Sequence, residues 1–343
     1  MARLVRADVF DPTEVAVVHC INRCVRRCFL CGDDPLTGRN YDHRKAWLEA
    51  RLEFLAGHFG IDILGYSILS NHFHVVVRNR PDVVATWSDT EVARRWLQLC
   101  PRRRTRTGEP AEPTDAELGA ICNVPDRLAV VRRRLADISW LMRMVAEPVA
   151  RHANREDQVT GRFWQGRFKA VRLCDEAAIL ACAVYVDLNP VRAGLARTPE
   201  ASPYTSVRRR IRSRTRSSED AATRPDGWLA PLELREATAA PGPQACTSGR
   251  RASDKGFLPL SQDDYFRIVD WTGRQVVRGR CGAIPPEIAP ALERVGIATG
   301  NWLPLATHFG QLFHRVAGAP HTLARLHSRR PLRPGRAMLL AAR

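Results

Sequence analysis

Apolar residues in this chain recur at two periods, and the switches between them mark out its elements. Val15 to Ile21 is a short valine-rich run that predicts a strand, followed by a polar turn region through Asp42. From about His43 to His58, the positions of Trp47, Leu48, Leu52 and Leu55 share one helical face. Ile61 to Leu69 and His72 to Arg78 are β-forming runs, with Asn71 marking a tight turn between them. Residues 79 to about 127 carry Pro81, Pro101, Pro110, Pro113 and Pro125 and read as an insertion, within which Trp87 to Leu97 predicts a helix with an N-cap signal. A long helix is expected from about Asp126 to Ala153. After a turn at Gly161, a strand alternates Arg or Lys with apolar residues as far as Leu173. The last helix of this series begins at a capping Asp175 and is stopped by Pro190. The order β-α-β-β-α-β-α predicts an α+β fold: a ferredoxin-like antiparallel sheet with one added helix.

The pattern then changes. Residues 216–255 are polar and rich in Ser, Pro and Gly, which predicts a flexible linker. Beyond it, Ser261 to Val277, Pro285 to Gly296 and Trp302 to Ala317 show the apolar spacing of three short helices, and Arg329 to Arg333 forms a basic tail. The expected organisation is therefore a unit at 1–215, with its insertion at about 79–127, a linker at 216–255 and a helical accessory region at 256–343. DNA binding, dimerisation and packing all remain open as the role of that accessory.

Charge narrows the partner. The 343 residues carry a formal net charge of +17, with Lys at only three positions, so the excess is almost all Arg. Guanidinium forks suit phosphate oxygens, which makes nucleic acid the expected partner, although a general bias toward Arg also contributes. No apolar stretch approaches the roughly 18 residues of a membrane span and the N-terminus lacks a signal-peptide core, so no membrane partner and a cytoplasmic location are expected. In that compartment the ten cysteines would stay reduced. Cys20, Cys24, Cys28 and Cys31 invite a zinc reading, but no second Cys-x-x-Cys pair completes a finger, and buried thiols are the simpler expectation.

Candidate chemistry starts at His72-Phe73-His74. Strand side chains alternate faces, so the two imidazoles point the same way and can grip one divalent ion while Phe73 packs behind them. On the later helix Tyr185 and Asn189 lie four residues apart, roughly 40° around the axis and about 6 Å along it. A phenol and an amide opposite two histidines make a coherent phosphodiesterase site: a metal to polarise a phosphate and a tyrosine to attack it. Taken singly, the pair also reads as two histidines on a solvent face, Tyr185 as a core aromatic and Asn189 as helix-terminus chemistry. There is no phosphate-cradling Gly-rich loop, no evident Ser-His-Asp arrangement and no internal repeat.

Together, His72-Phe73-His74, the segment Phe163-Trp164-Gln165-Gly166-Arg167-Phe168 and the segment from Tyr185 to Gly194 resemble single-tyrosine HUH transposases of the insertion-sequence type. The resemblance is specifically to their REP-associated tyrosine transposase subgroup, and it covers roughly residues 10–210. It implies a ferredoxin-like endonuclease, usually a homodimer, that acts on single-stranded DNA bearing hairpins and takes no small-molecule substrate. Carried across, His72 and His74 hold Mg or Mn, and Tyr185 attacks a backbone phosphate to leave a 5′-phosphotyrosine and a free 3′-hydroxyl. Asn189 falls where better-studied relatives place a Gln that completes the metal shell, one methylene longer. His19, on the first strand, is a rival third ligand. Some members carry a tyrosine just after the Trp-Gln pair, where this chain has Phe168 and Lys169, so Tyr185 is the one tyrosine at a matching position. The candidate DNA contacts are Arg162, Arg167, Lys169, Arg192, Arg208, Arg209, Arg210 and Arg212. The rival readings are a catalytically silent DNA-binding protein and a metal nuclease that uses water. Neutral histidines are needed to bind the ion, so activity is expected to fall as pH drops through roughly 6.5.

Overall fold

The structure is a computed structural model that describes residues 9–25, 31–34, 38–215, 223–235, 242–278 and 287–329. Its elements run β1 (Ala16–Arg23), α1 (His43–Ala56), β2 (Ile61–Ile68), β3 (His72–Asn79), α2 (Pro81–Thr86), α3 (Asp89–Leu99), α4 (Asp115–Cys122), α5 (Pro125–Leu135), α6 (Ile138–Glu156), β4 (Lys169–Leu173), α7 (Glu176–Asp187), α8 (Asn189–Arg192) and α9 (Ser206–Thr215). The chain continues through α10 (Gln262–Arg278), α11 (Ala289–Arg294), α12 (Thr299–Leu312), β5 (Val316–Ala317) and α13 (Pro320–Arg329). The sheet order is β2-β3-β1-β4-β5, antiparallel except for the β4–β5 pair. The first four strands, with α1 and α6 as crossover helices, form the ferredoxin-like arrangement expected from the element order.

The two-residue period of the strands divides the core. Val18 and Cys20 on β1 and Phe73, Val75 and Val77 on β3 face α1 and α6. Val76 on β3 and Val171 and Leu173 on β4 face α7, with α10 and α12 stacked beyond it through Ile268, Trp302 and Phe309. His19 and His74 share the α7 side of the sheet, set close by the register that pairs His19 with Val76 and Ile21 with His74.

Several expectations are corrected. The long helix predicted from 126 to 153 is two helices, because the Asp137 carboxylate accepts from the Ser139 N–H at 2.7 Å and starts α6 afresh. Pro190 does not stop a helix: α7 ends at Asp187 with Leu188 as its cap, and Pro190 lies in the first turn of α8, where its missing N–H costs nothing. Val316 and Ala317, predicted helical, extend the sheet through parallel pairing with Arg172 and Leu173. The helix α13 was not foreseen, and the basic tail beyond Arg329 lies outside the described residues.

The stretch predicted as linker is tied to the sheet over 223–235 and 242–255, while 216–222 and 236–241 lie outside the described residues. Trp228 and Leu229 are buried, and the Ala230 N–H donates to the Ile63 carbonyl at 2.9 Å. The cause is a buried charge cluster. Asp62 accepts from Arg78 at 2.7 Å and from the Ser253 hydroxyl at 2.8 Å, while Arg78 also donates to the Lys255 and Gly256 carbonyls. Guanidiniums taken out of water require such partners, and the polar segment supplies them. Cys20, Cys24 and Cys31 are buried, Cys31 pushed up to about 12 by burial, and Cys28 lies outside the described residues.

A second buried cluster joins α7 to α10. Asp187 is fully withdrawn from solvent, its carboxyl pushed up by burial, and it accepts from the Tyr265 hydroxyl and the Ser206 hydroxyl at 2.5 Å each. Tyr265→Phe removes one donor and leaves a buried carboxylate oxygen short of a partner, so unfolding free energy should drop by about 1–3 kcal/mol. A urea midpoint equal to wild type would show that this contact contributes nothing.

Candidate active site

His72 and His74 open the strand after the hairpin at Asn71, and α7 lays Tyr185 across the same face. The rings of His74 and Tyr185 meet edge-on at 5.8 Å between centroids, and those of His72 and His74 at 4.9 Å. All three line one cavity of about 480 Å³ whose rim carries Arg23, Arg167, Lys169 and Arg315. The structure thus brings the histidine pair and the tyrosine into one cavity. The other four tyrosines lie elsewhere: Tyr66 donates to Glu49, Tyr265 to Asp187, Tyr41 stacks under Arg44 and Tyr204 packs against the α1/α6 side.

The proton positions follow from a chain of hydrogen bonds. Arg192 can only donate, and its Nη2 reaches Asn189 Oδ1 at 3.1 Å. The amide therefore turns its Nδ2 to His74 Nε2, at 2.8 Å, and His74 must offer a lone pair there. The His74 proton then sits on Nδ1 and is donated to His19 Nε2 at 2.8 Å. His19 in turn carries its proton on Nδ1, which is buried and has no partner among the described residues. On the other side His72 Nδ1 meets Asn71 Oδ1 at 2.6 Å, so the His72 lone pair is on Nε2. Burial lowers every imidazole here: His19 to about 3, His72 to about 4 with Arg23 and Arg192 adding to the effect, and His74 well below its ordinary value.

This arrangement changes two expectations. His19, read from sequence as a rival ligand, stands behind His74, its Nε2 engaged by His74 Nδ1, and this contact fixes the tautomer and orientation of His74. Asn189 presents its N–H to His74, with its oxygen held by Arg192. Turning the amide would exchange that N–H for the carbonyl oxygen and set two lone pairs, one oxygen and one nitrogen, side by side at one contact. With His72 Nε2 this is a donor set that suits a small divalent cation with room for phosphate oxygens. Among the described residues no group of three or more His, Cys, Asp or Glu side chains could hold a metal ion, so a site here depends on the amide and on substrate.

The basic residues separate by their surroundings. Arg167 and Lys169 are exposed at the cavity, and Arg162 is exposed just before them. Arg192 stacks at 4.0 Å over the Tyr185 ring and donates to the Thr307 carbonyl, so at rest it clamps the tyrosine between α8 and α12. Along α9, Arg212 is exposed and Arg208 half-buried, while Arg209 is held by Glu49 at 2.6 Å. Arg210 corrects the expectation of a DNA contact: it is 3 % exposed and donates to the Leu64 and Ala230 carbonyls, because helical spacing turns it inward to satisfy backbone at the sheet edge. Sequence reasoning missed Gly310, His314 and Arg315, which α12 and the turn after it bring to the same cavity. A lone glycine inside an apolar helical pattern was the available signal of a close approach.

No helix among the described residues is long and apolar enough to cross a membrane. No family model matches the chain. No curated protein matches it either. Among solved structures, that of a REP-associated tyrosine transposase bound to a REP hairpin is similar to it, with 13% sequence identity, a TM-score of 0.33, and coverage of 57% of this chain and 79% of that one.

Proposed function

We propose that this protein is a metal-dependent single-stranded DNA endonuclease and strand transferase of the transposase kind, acting on hairpin-bearing DNA through a 5′-phosphotyrosine intermediate. One observation carries the reading: Tyr185 packs against His74 in a cavity shared with His72 and rimmed by Arg23, Arg167, Lys169 and Arg315. A polyanion strand entering that rim delivers a backbone phosphate to the phenol. The tyrosyl oxygen bonds to phosphorus, the P–O3′ bond breaks, and the phenolic proton ends on the departing 3′-oxygen. One phosphodiester replaces another, so no external energy source is needed and the step can run backward to reseal a strand. His72 Nε2, His74 Nε2 and the Asn189 amide oxygen would hold Mg²⁺ or Mn²⁺, which when bound polarises the phosphate. His19 keeps His74 in the tautomer that offers Nε2, and Arg192 holds Tyr185 by its ring face.

The direct test is incubation with Mn²⁺ and a library of single-stranded hairpin oligonucleotides, followed by denaturation. A surviving protein–DNA adduct is expected. Cleaved strands without an adduct would point to water as the nucleophile, and intact DNA that is nonetheless bound would leave a DNA-binding protein.

Binding should depend steeply on salt, since each phosphate neutralised on a single strand contributes about 0.7 to the log–log slope. Replacing Arg167, Lys169, Arg208 and Arg212 with alanine should flatten that slope, whereas Arg210→Ala should lower stability instead. Identical slopes in the quadruple variant and wild type would show these side chains to be solvated surface only.

A further inference from the structure

Tyr185 is a partition between two cavities. On one side lies the basic cavity with His72 and His74; on the other a cavity of about 640 Å³ is walled by Tyr185, Arg192, Gln275, Leu303, Thr307 and Gln311, contributed by α7, α8, α10 and α12. The two walls differ in character. The first is ringed by cations, while the second sets amide, hydroxyl and His308 imidazole groups among apolar surface from Val276, Leu303 and Pro304. Its Arg192 is already engaged by Asn189, the Thr307 carbonyl and the Tyr185 ring. On the basic side a Cβ on Gly310 would stand 2.6 Å from the Tyr185 hydroxyl oxygen, so the α12 backbone lies directly against that hydroxyl.

We propose that this second cavity is a binding site for one nucleobase of the DNA strand, the base flanking the attacked phosphate; this rests on the reading of Tyr185 as nucleophile. A phosphate bound on the basic side leaves its flat, mostly apolar base one sugar away, and the second cavity lies one side chain away. Leu303 offers an apolar surface for the faces of such a base. The Gln311 amide, both donor and acceptor, suits its hydrogen-bonding edge, and a base turned out of its stack is recognised by such a combination of apolar face and polar edge. A second phosphate is poorly served there, because the one guanidinium in the wall is committed to protein partners. The C-terminal helices thereby supply half of the substrate site.

The experiment uses the full chain without added metal and hairpin oligonucleotides with single-stranded flanks, carrying 2-aminopurine at one flank position at a time. At one position fluorescence should rise several-fold on binding as the base leaves its neighbours. Leu303→Phe, which narrows the cavity, should remove that rise. Gln311→Ala, at an exposed rim position that the fold tolerates, should reduce the affinity lost when an abasic residue replaces the same base. Overall hairpin affinity should remain within about twofold in both variants, since phosphate contacts dominate it. Absence of any responsive position, or an unchanged response and abasic penalty in both variants, would overturn the proposal. The adduct assay separates the two readings. An adduct with no responsive position defeats the base site alone, and a responsive position without any adduct defeats the tyrosine chemistry while the base site stands.

Discussion

Tyr185→Phe should abolish the covalent DNA adduct and lower strand cleavage by about 10⁴-fold or more, the scale seen when a nucleophile is removed. The substitution deletes one oxygen and keeps the ring. The ring makes the packing contacts: edge-on to His19 and His74, tilted against Phe309 at 5.9 Å, and stacked beneath the Arg192 guanidinium. Thermal stability and hairpin affinity should therefore stay close to wild type, which makes adduct formation the discriminating measurement. Tyr204→Phe serves as the control, because Tyr204 packs on the α1/α6 side of the sheet and should retain full adduct yield. An undiminished adduct in Tyr185→Phe would remove Tyr185 from the mechanism altogether.

His72→Ala combined with His74→Ala should eliminate both Mn²⁺ binding and cleavage, since the two imidazole nitrogens proposed to hold the ion are lost. Asn189→Ala should weaken Mn²⁺ binding while sparing DNA affinity. His19→Ala leaves the His74 Nδ1–H buried without an acceptor and should cost about 10–100-fold in Mn²⁺ affinity, as loss of a partner behind a ligating histidine does. Mn²⁺ titration by calorimetry distinguishes these: wild-type affinity in a folded His19→Ala protein would deny His19 its positioning role, and wild-type affinity in Asn189→Ala would deny Asn189 a place in the shell.

The same burial moves the pH window. The sequence alone predicts loss of metal binding near pH 6.5, but His72 is held down to about 4 by burial and by Arg23 and Arg192, so Mn²⁺ binding should persist at pH 5.5 and fail near pH 4. Stability follows with a definite sign. Below pH 6.5 the unfolded chain takes up protons that folded His19 and His72 refuse, so the stability these groups give is complete above 6.5 and declines as pH falls toward their folded values of about 3 and about 4. Each unit of difference is worth about 1.4 kcal/mol per group. Urea midpoints that do not change between pH 7 and pH 4.5 would contradict this.

The parts of this protein legible in the sequence are those governed by local periodicity. Alternation along β3 put His72 and His74 on one face, because that spacing is set by backbone geometry within a few residues, whereas Tyr185 and Asn189, expected on one helix, fall on α7 and α8 either side of the break at Leu188 and still line one cavity. The ferredoxin-like order followed from the succession of periods, and Asp175 was readable as a cap because a side-chain oxygen bonding the N–H three residues on is a local event, realised at 2.9 Å to Ala178. What only the tertiary structure decided depends on residues far apart in the chain. His19 became the support of His74 because β1 and β3 pair in one register, and Arg210 turned from an apparent phosphate contact into a buried donor because carbonyls of Leu64 and Ala230 converge on it. The polar stretch after residue 216 read as open chain because composition records a segment's own solubility and not the buried Asp62 and Arg78 that need its partners. Likewise Gly310 reads as a weakness in a helix until α12 is laid against the Tyr185 hydroxyl, where the absence of a side chain is what lets the two approach.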